Sequence, residues 1–216
     1  MGLLLYVRPW FWRVRMYIKP LFVHIPKNAG TSIRKGLSVK FGKQFEHEEN
    51  TFHSGHFNAD IMAKRARLAG YEYDCMFAVI RHPIERFASS FAWMQYRLRL
   101  RIANKKETLN KQTKKFIESN VDDFIEFYFT RANSTWMASS YWHFLPQSDY
   151  INNKDCHVFT MDKLKVIENM LQIQIPHINK GLDTIDKKVY DMSSNSLHIL
   201  QTYYERDLEL WKKYSA

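Results

Sequence analysis

Residues 21–41 read LFVHIPKNAGTSIRKGLSVKF. An apolar run (21–25) stops at Pro26, a small polar turn follows, and an amphipathic stretch runs from Thr31 to about Phe41. That order predicts strand, loop, helix. Such a junction favours anions, because the first N–H groups of a helix lack helical partners and sit at the positive end of its dipole. Ala29 and Gly30 keep the turn thin enough for a phosphate to approach the backbone. Lys27 supplies a full positive charge, and Thr31 and Ser32 are expected to cap the helix and bond anion oxygens. The turn is not a Walker A loop, in which the lysine follows the second glycine. Here it stands on the strand side.

The same grammar recurs at 75–91, CMFAVIRHPIERFASSF. A continuous apolar run of this length suits a strand buried on both faces. Pro83 suits the first turn of a helix, predicted over 84–102. Arg81, at the strand's carboxyl end, can fork onto a phosphate, and Ser89 lies about two turns into the helix, within reach of the same anion. Arg86 is read either as a second anion ligand or as an ion-pair partner of Glu85 or another acid. A third unit, strand 157–160 and helix 162–171, follows. Leu197, Leu200, Tyr204, Leu208 and Trp211 share one helical face near the end. Strands alternating with helices predict an α/β fold, three layers around a central parallel sheet.

The chain has 216 residues, enough for one domain with a sizeable core. Its 45% hydrophobic and 25% charged content excludes a disordered chain. A net charge of +10 and a pI of about 9.5 favour anionic partners. Two cysteines, Cys75 and Cys156, exclude a disulfide scaffold and a Cys-based zinc site, leaving one bridge or two thiols. No carboxylate pair with metal-ligand spacing stands out, so no metal is expected.

Residues 1–20 form a basic-aromatic segment ahead of one domain at 21–216. Arg8, Arg13, Arg15 and Lys19 interrupt its apolar residues, which argues against a spanning helix. It reads as a packed surface segment or as an interfacial anchor giving peripheral membrane contact. Residues 97–115 carry Arg97, Arg99, Arg101, Lys105, Lys106, Lys111, Lys114 and Lys115 against Glu107. That run is either a solvated helix end or the wall of a cleft for a polyanion.

Together the two anion turns resemble those of a named family. FVHIPKNAGTS looks like the 5′-phosphosulfate loop of sulfotransferases that use 3′-phosphoadenosine 5′-phosphosulfate (PAPS), and VIRHPIERFASSF looks like their 3′-phosphate motif. The nearest branch is carbohydrate sulfotransferase family 2, with the uronyl 2-O-sulfotransferases and bacterial relatives. Weaker echoes are SGHF (54–57), YWHFLPQ (141–147) and PHINK (176–180). The resemblance implies a P-loop-like α/β domain. In it, Lys27, Asn28, Ala29, Gly30, Thr31 and Ser32 hold the 5′-phosphate, and Arg81 and Ser89 hold the 3′-phosphate. The loop at Asn179 and Lys180 closes over the nucleotide. His82 departs from the family, which commonly has Asn or Asp there.

In-line sulfuryl transfer to a hydroxyl needs positioning, charge stabilisation and a base. Lys27 suits the first two tasks. Among nine histidines, His56 in the SGHFNA stretch is the expected base, with His53 in reserve. Trp142 and Gln147 are candidate sugar contacts, Trp142 being otherwise a core residue, and Arg97 suits an anionic saccharide. The expected acceptor is thus a saccharide hydroxyl, with no nucleic-acid partner. The expected location is cytoplasmic, including the membrane periphery, or the Golgi lumen if the chain is a fragment lacking its anchor. The competing activities are a nucleotide-dependent kinase and a non-catalytic polyanion-binding module.

Overall fold

The computed structural model describes residues 18–45, 55–104, 111–130, 142–178 and 191–215. In chain order the main elements are β1 (Pro20–Val23), α1 (Gly30–Phe41), α2 (Ala59–Leu68), β2 (Cys75–Ile80) and α3 (Pro83–Ala103). There follow α4 (Lys111–Glu118), α5 (Val121–Phe129), β3 (Cys156–Thr160), α6 (Leu164–Leu171), α7 (Ser194–Tyr203) and α8 (Glu205–Ser215). The three strands form a parallel sheet in the order β1-β2-β3. Phe22 pairs with Phe77, and Ala78 with Val158.

Strand residues alternate between two faces, and each face has its own helices. Leu21, Val23, Met76, Ala78 and Ile80 pack with Ala59, Met62 and Ala66 of α2 and with Leu210 and Trp211 of α8. Phe22, Phe77 and Val79 pack on the other side with Ile33 and Leu37 of α1 and Ile167 and Leu171 of α6. The α/β three-layer architecture follows from that alternation. Phe77 is fully buried on the central strand, so truncation to Ala there costs about 3–5 kcal/mol.

A second cluster lies among α3, α4, α5 and α7, where Phe87, Phe91, Phe116, Phe124 and Phe144 are fully or almost fully buried. Phe91 and Phe124 have ring centroids 5.0 Å apart, and Phe124 and Phe144 are 5.2 Å apart. This cluster fixes α3 along its length, and α3 carries half of the site.

The carboxy-terminal segment differs from the single helix that its periodicity predicts. It breaks into α7 and α8 at Tyr204, a fully enclosed ring whose hydroxyl donates to the Phe144 carbonyl at 2.7 Å. Tyr204 belongs to the aromatic cluster whereas Trp211 covers the sheet, so the chain must turn between them. The predicted helix 162–171 likewise opens with a 3-10 turn, Met161–Lys163, before α6. Cys75 and Cys156 are free thiols, and burial pushes their pKa values up to about 11 and about 12. Most of the 1–20 segment lies outside the described residues.

Candidate active site

The first turn links β1 to α1. Lys27 and Ala29 both occupy the left-handed region, with φ of 67° and 57°. Neither is glycine, so each position stores roughly 1 kcal/mol or more of backbone strain. Ala29 is the N-cap of α1, and no side chain caps that helix end. Thr31 and Ser32 therefore do not cap, contrary to the sequence expectation: the turn enters the helix earlier, at Gly30, and both hydroxyls lie inside its first turn. Thr31 is exposed, whereas Ser32 is nearly buried and its Oγ accepts from the Ile178 N–H at 3.4 Å.

Asn28 is 1% exposed. Its Nδ2 donates to the Val79 carbonyl at 2.8 Å and to Gln147 Oε1 at 2.6 Å. The carboxamide thus points inward and pins the turn to the sheet. What Asn28 offers an anion is backbone.

The second turn links β2 to α3. Gln147 Oε1 accepts from the Arg81 N–H at 3.0 Å, and Gln147 Nε2 donates to the Arg81 carbonyl at 2.9 Å. Gln147 is fully buried, which corrects its assignment to a sugar. Its amide is committed to the protein and ties both turns together. The Arg81 guanidinium donates to Glu85 at 3.0 Å, near the surface. His82, the N-cap of α3, makes no side-chain cap bond; its ring meets Trp211 edge-on at 4.8 Å. Packing replaces the carboxamide or carboxylate of the resembling family at this corner.

Glu85, Ser89, Trp93 and Arg97 of α3 recur at four-residue spacing, which keeps neighbours close along one side of a helix, and Arg81 stands four residues before Glu85, in the turn that leads into it. Lys27 Nζ lies 4.8 Å from the Trp93 ring centroid, so this side faces the first turn. The Arg97 guanidinium also lies over Trp93, at 5.2 Å. Partly buried Ser89 stands between Arg81 and Trp93 on that side. Burial, and next the charge of Arg81, lower the Lys27 pKa to about 8. Two cations close enough to repel one another form a space that favours an anion.

Beside Lys27 lies a group of imidazoles and indoles. A ring nitrogen of His56, Nδ1, is 2.9 Å from the His24 carbonyl oxygen. A carbonyl only accepts, so Nδ1 carries hydrogen and the neutral ring has its lone pair at Nε2. The His56 ring is 4.2 Å from those of His24 and Trp142, and 6.0 Å from that of His143. His143 stacks on Trp142 at 3.9 Å and meets Trp93 at 4.6 Å. Burial drives the His143 pKa down to about 2, and its neighbours His56, Lys27, Arg86 and Arg97 push the same way. His143 therefore stays neutral. Trp142 is partly buried beside His56 at the site, not sealed in the core.

Trp93 escaped the sequence reading, and the roles of His143 and Arg86 emerge only from the structure. Trp93 forms the aromatic wall against Lys27; its four-residue step from Ser89 was the available signal. His143 is the neutral ring between the two tryptophans. Arg86 pairs with no acid among the described residues: fully buried, it donates to the carbonyls of Pro26, Leu145 and His143 at 3.0, 2.9 and 3.0 Å. Only a guanidinium offers that many donors in a fixed fork. His53, Asn179 and Lys180 lie outside the described residues.

Among the described residues, no group of three or more His, Cys, Asp or Glu is arranged to hold a metal ion. No described helix is long and apolar enough to cross a membrane. A search of curated proteins and one of solved structures both find no match to the chain. The family model described as the sulfotransferase family matches residues 17–215, which takes in both turns, the histidine cluster and α8. A match over nearly the whole chain, around two strand-to-helix turns joined through one buried amide, makes the protein a member of the sulfotransferase family, family 2.

Proposed function

We propose that the protein transfers a sulfuryl group from PAPS to a saccharide hydroxyl, with His56 as the base. The observation that supports this reading is that Lys27, which feels the charge of Arg81, lies over Trp93 at 4.8 Å, and Trp93 meets His143, whose ring is 6.0 Å from that of His56. The residues suit such a donor. The N-terminus of α1 is uncapped, and Gly30 lets the helix start against His24. Lys27 to Ser32 would hold the 5′-phosphate, Asn28 through its backbone, and Arg81 with Ser89 the 3′-phosphate.

When bound, the donor supplies the sulfuryl group and a phosphate leaving group. Lys27 neutralises the charge that grows on the bridging oxygen as its bond to sulfur breaks. His56 takes the acceptor proton at Nε2 as the new oxygen–sulfur bond forms, with the His24 carbonyl holding its ring in the required tautomer. Trp93 and Trp142 offer aromatic faces to a sugar ring, and Arg97 adds a positive charge suited to a carboxylated or sulfated acceptor.

The test is transfer of labelled sulfate from PAPS to uronic-acid-containing glycans, run beside titrations with 3′,5′-adenosine bisphosphate and ATP. Turnover with selective binding of the bisphosphate is expected, and Lys27→Ala abolishes turnover. Preference for ATP, with no sulfate transferred to any glycan tried, rejects the reading.

A further inference from the structure

We propose that Gln147 is a positioning residue that makes the two anion turns one cooperative unit, so that a phosphate in one turn raises the affinity of the other. This rests on the donor reading above.

The side chain of Gln147 is fully buried and every polar position on it that meets a turn is used. Both acceptor sites of Oε1 are filled, by Asn28 Nδ2 at 2.6 Å and the Arg81 N–H at 3.0 Å. Nε2 donates to the Arg81 carbonyl at 2.9 Å. One carboxamide thus holds the peptide of the second turn from both sides and the central side chain of the first. Asn28 lies between Lys27 and Ala29, the two residues strained into the left-handed region, so the pin sits where the first turn is most sharply bent.

Gln147 is itself anchored. Its backbone N–H and that of Ser148 donate to the two oxygens of Asp207, at 2.6 and 2.8 Å. Asp207 is fully buried on α8. With its backbone fixed, the carboxamide cannot follow one turn without releasing the other, and a released polar group here has no water to turn to. A shift of either turn is therefore felt by its neighbour, and the coupling is reciprocal by thermodynamic linkage. Glutamine is the residue this needs. Glutamate cannot donate to the Arg81 carbonyl, and methionine can neither donate there nor satisfy Asn28.

The experiment compares the tightening produced by adding a 3′-phosphate to adenosine 5′-phosphate with that produced by adding it to adenosine. Titration calorimetry is run on the wild type, Gln147→Glu and Gln147→Met, with thermal unfolding confirming that each variant is folded. The ratio of the two tightenings should fall by about tenfold in both variants. An unchanged ratio, with all ligands weakened alike, overturns the proposal, since a merely structural residue scales every affinity equally. Hydrogen exchange on the wild type needs no variant: adenosine 3′-phosphate alone should slow exchange over residues 26–32, and no slowing also overturns it. If the wild type binds ATP in preference to the bisphosphate, the donor reading falls and the coupling with it. If the bisphosphate binds selectively but the ratio holds, only the coupling falls.

Discussion

Gly30 lies against the imidazole of His24 so closely that a Cβ on Gly30 would stand 1.8 Å from its Nε2. The contact joins the start of α1 to the ring beside His56, whose Nδ1–H donates to the carbonyl of the same His24. Gly30→Ala therefore has to push the His24 ring aside, an overpacking that costs about 1–3 kcal/mol. The expected outcome is a lower melting temperature together with a fall in kcat of tenfold or more, because the displacement reaches the proposed base. Steady-state kinetics and thermal unfolding on the same preparation check it.

The strand–turn–helix units were legible because buried parallel strands are nearly pure apolar runs, and CMFAVI is β2 to the residue. The placement of Lys27 and Arg81 just beyond buried strands was legible because each stands in a local motif. What sequence did not disclose is long-range. Asn28 and Gln147 look like polar loop residues until their partners, 119 residues apart in the chain, are brought together. Arg86 looked equally suited to an anion or an acid, whereas three backbone carbonyls take its donors. The break at Tyr204 hides inside an unbroken helical period, since periodicity records which residues are covered and not which of two cores covers them.

Ala29 tests whether strain in the first turn is structural. Its φ of 57° is cheap for glycine and expensive for a β-branched residue. Ala29→Gly should leave melting temperature and bisphosphate affinity nearly unchanged, relief of strain offsetting the added freedom of the unfolded chain. Ala29→Val should destabilise by about 1–3 kcal/mol and weaken bisphosphate binding. Equal behaviour of the two variants in unfolding and titration would show that the turn does not need this backbone.

The pKa of Lys27, lowered to about 8 by burial and by Arg81, gives a pH signature. An anion beside it restores the charged form, so binding of 3′,5′-adenosine bisphosphate takes up a proton as pH passes 8. Affinity should be flat near pH 7 and fall above pH 8, with heats that vary with buffer ionisation enthalpy. In Lys27→Met both effects disappear. The sign for stability is opposite. The unfolded chain holds this proton up to about 10.5, so the contribution of Lys27 to stability rises between pH 8 and 10.5. Lys27→Met should thus be the more stable protein at pH 7, with its advantage shrinking as the wild-type lysine loses its proton.

Two neighbouring imidazoles, His56 and His143, should respond in opposite ways to loss of their nitrogens. His143 is 7% exposed, lies between Trp93 and Trp142, and is kept neutral by burial and surrounding cations. Held neutral in this way, it is expected to contribute shape. His143→Phe preserves a ring between the indoles and should keep kcat within about threefold, with the same pH profile. His56→Phe keeps an aromatic ring beside His24 and Trp142 but has no nitrogen to accept a proton. Its kcat should fall by about 10²–10⁴ while bisphosphate affinity holds within a few fold. Parallel kcat measurements and titrations on the two variants decide the matter: an inactive His143→Phe beside an active His56→Phe would move the base to the buried ring, and with it the path by which the acceptor's proton leaves.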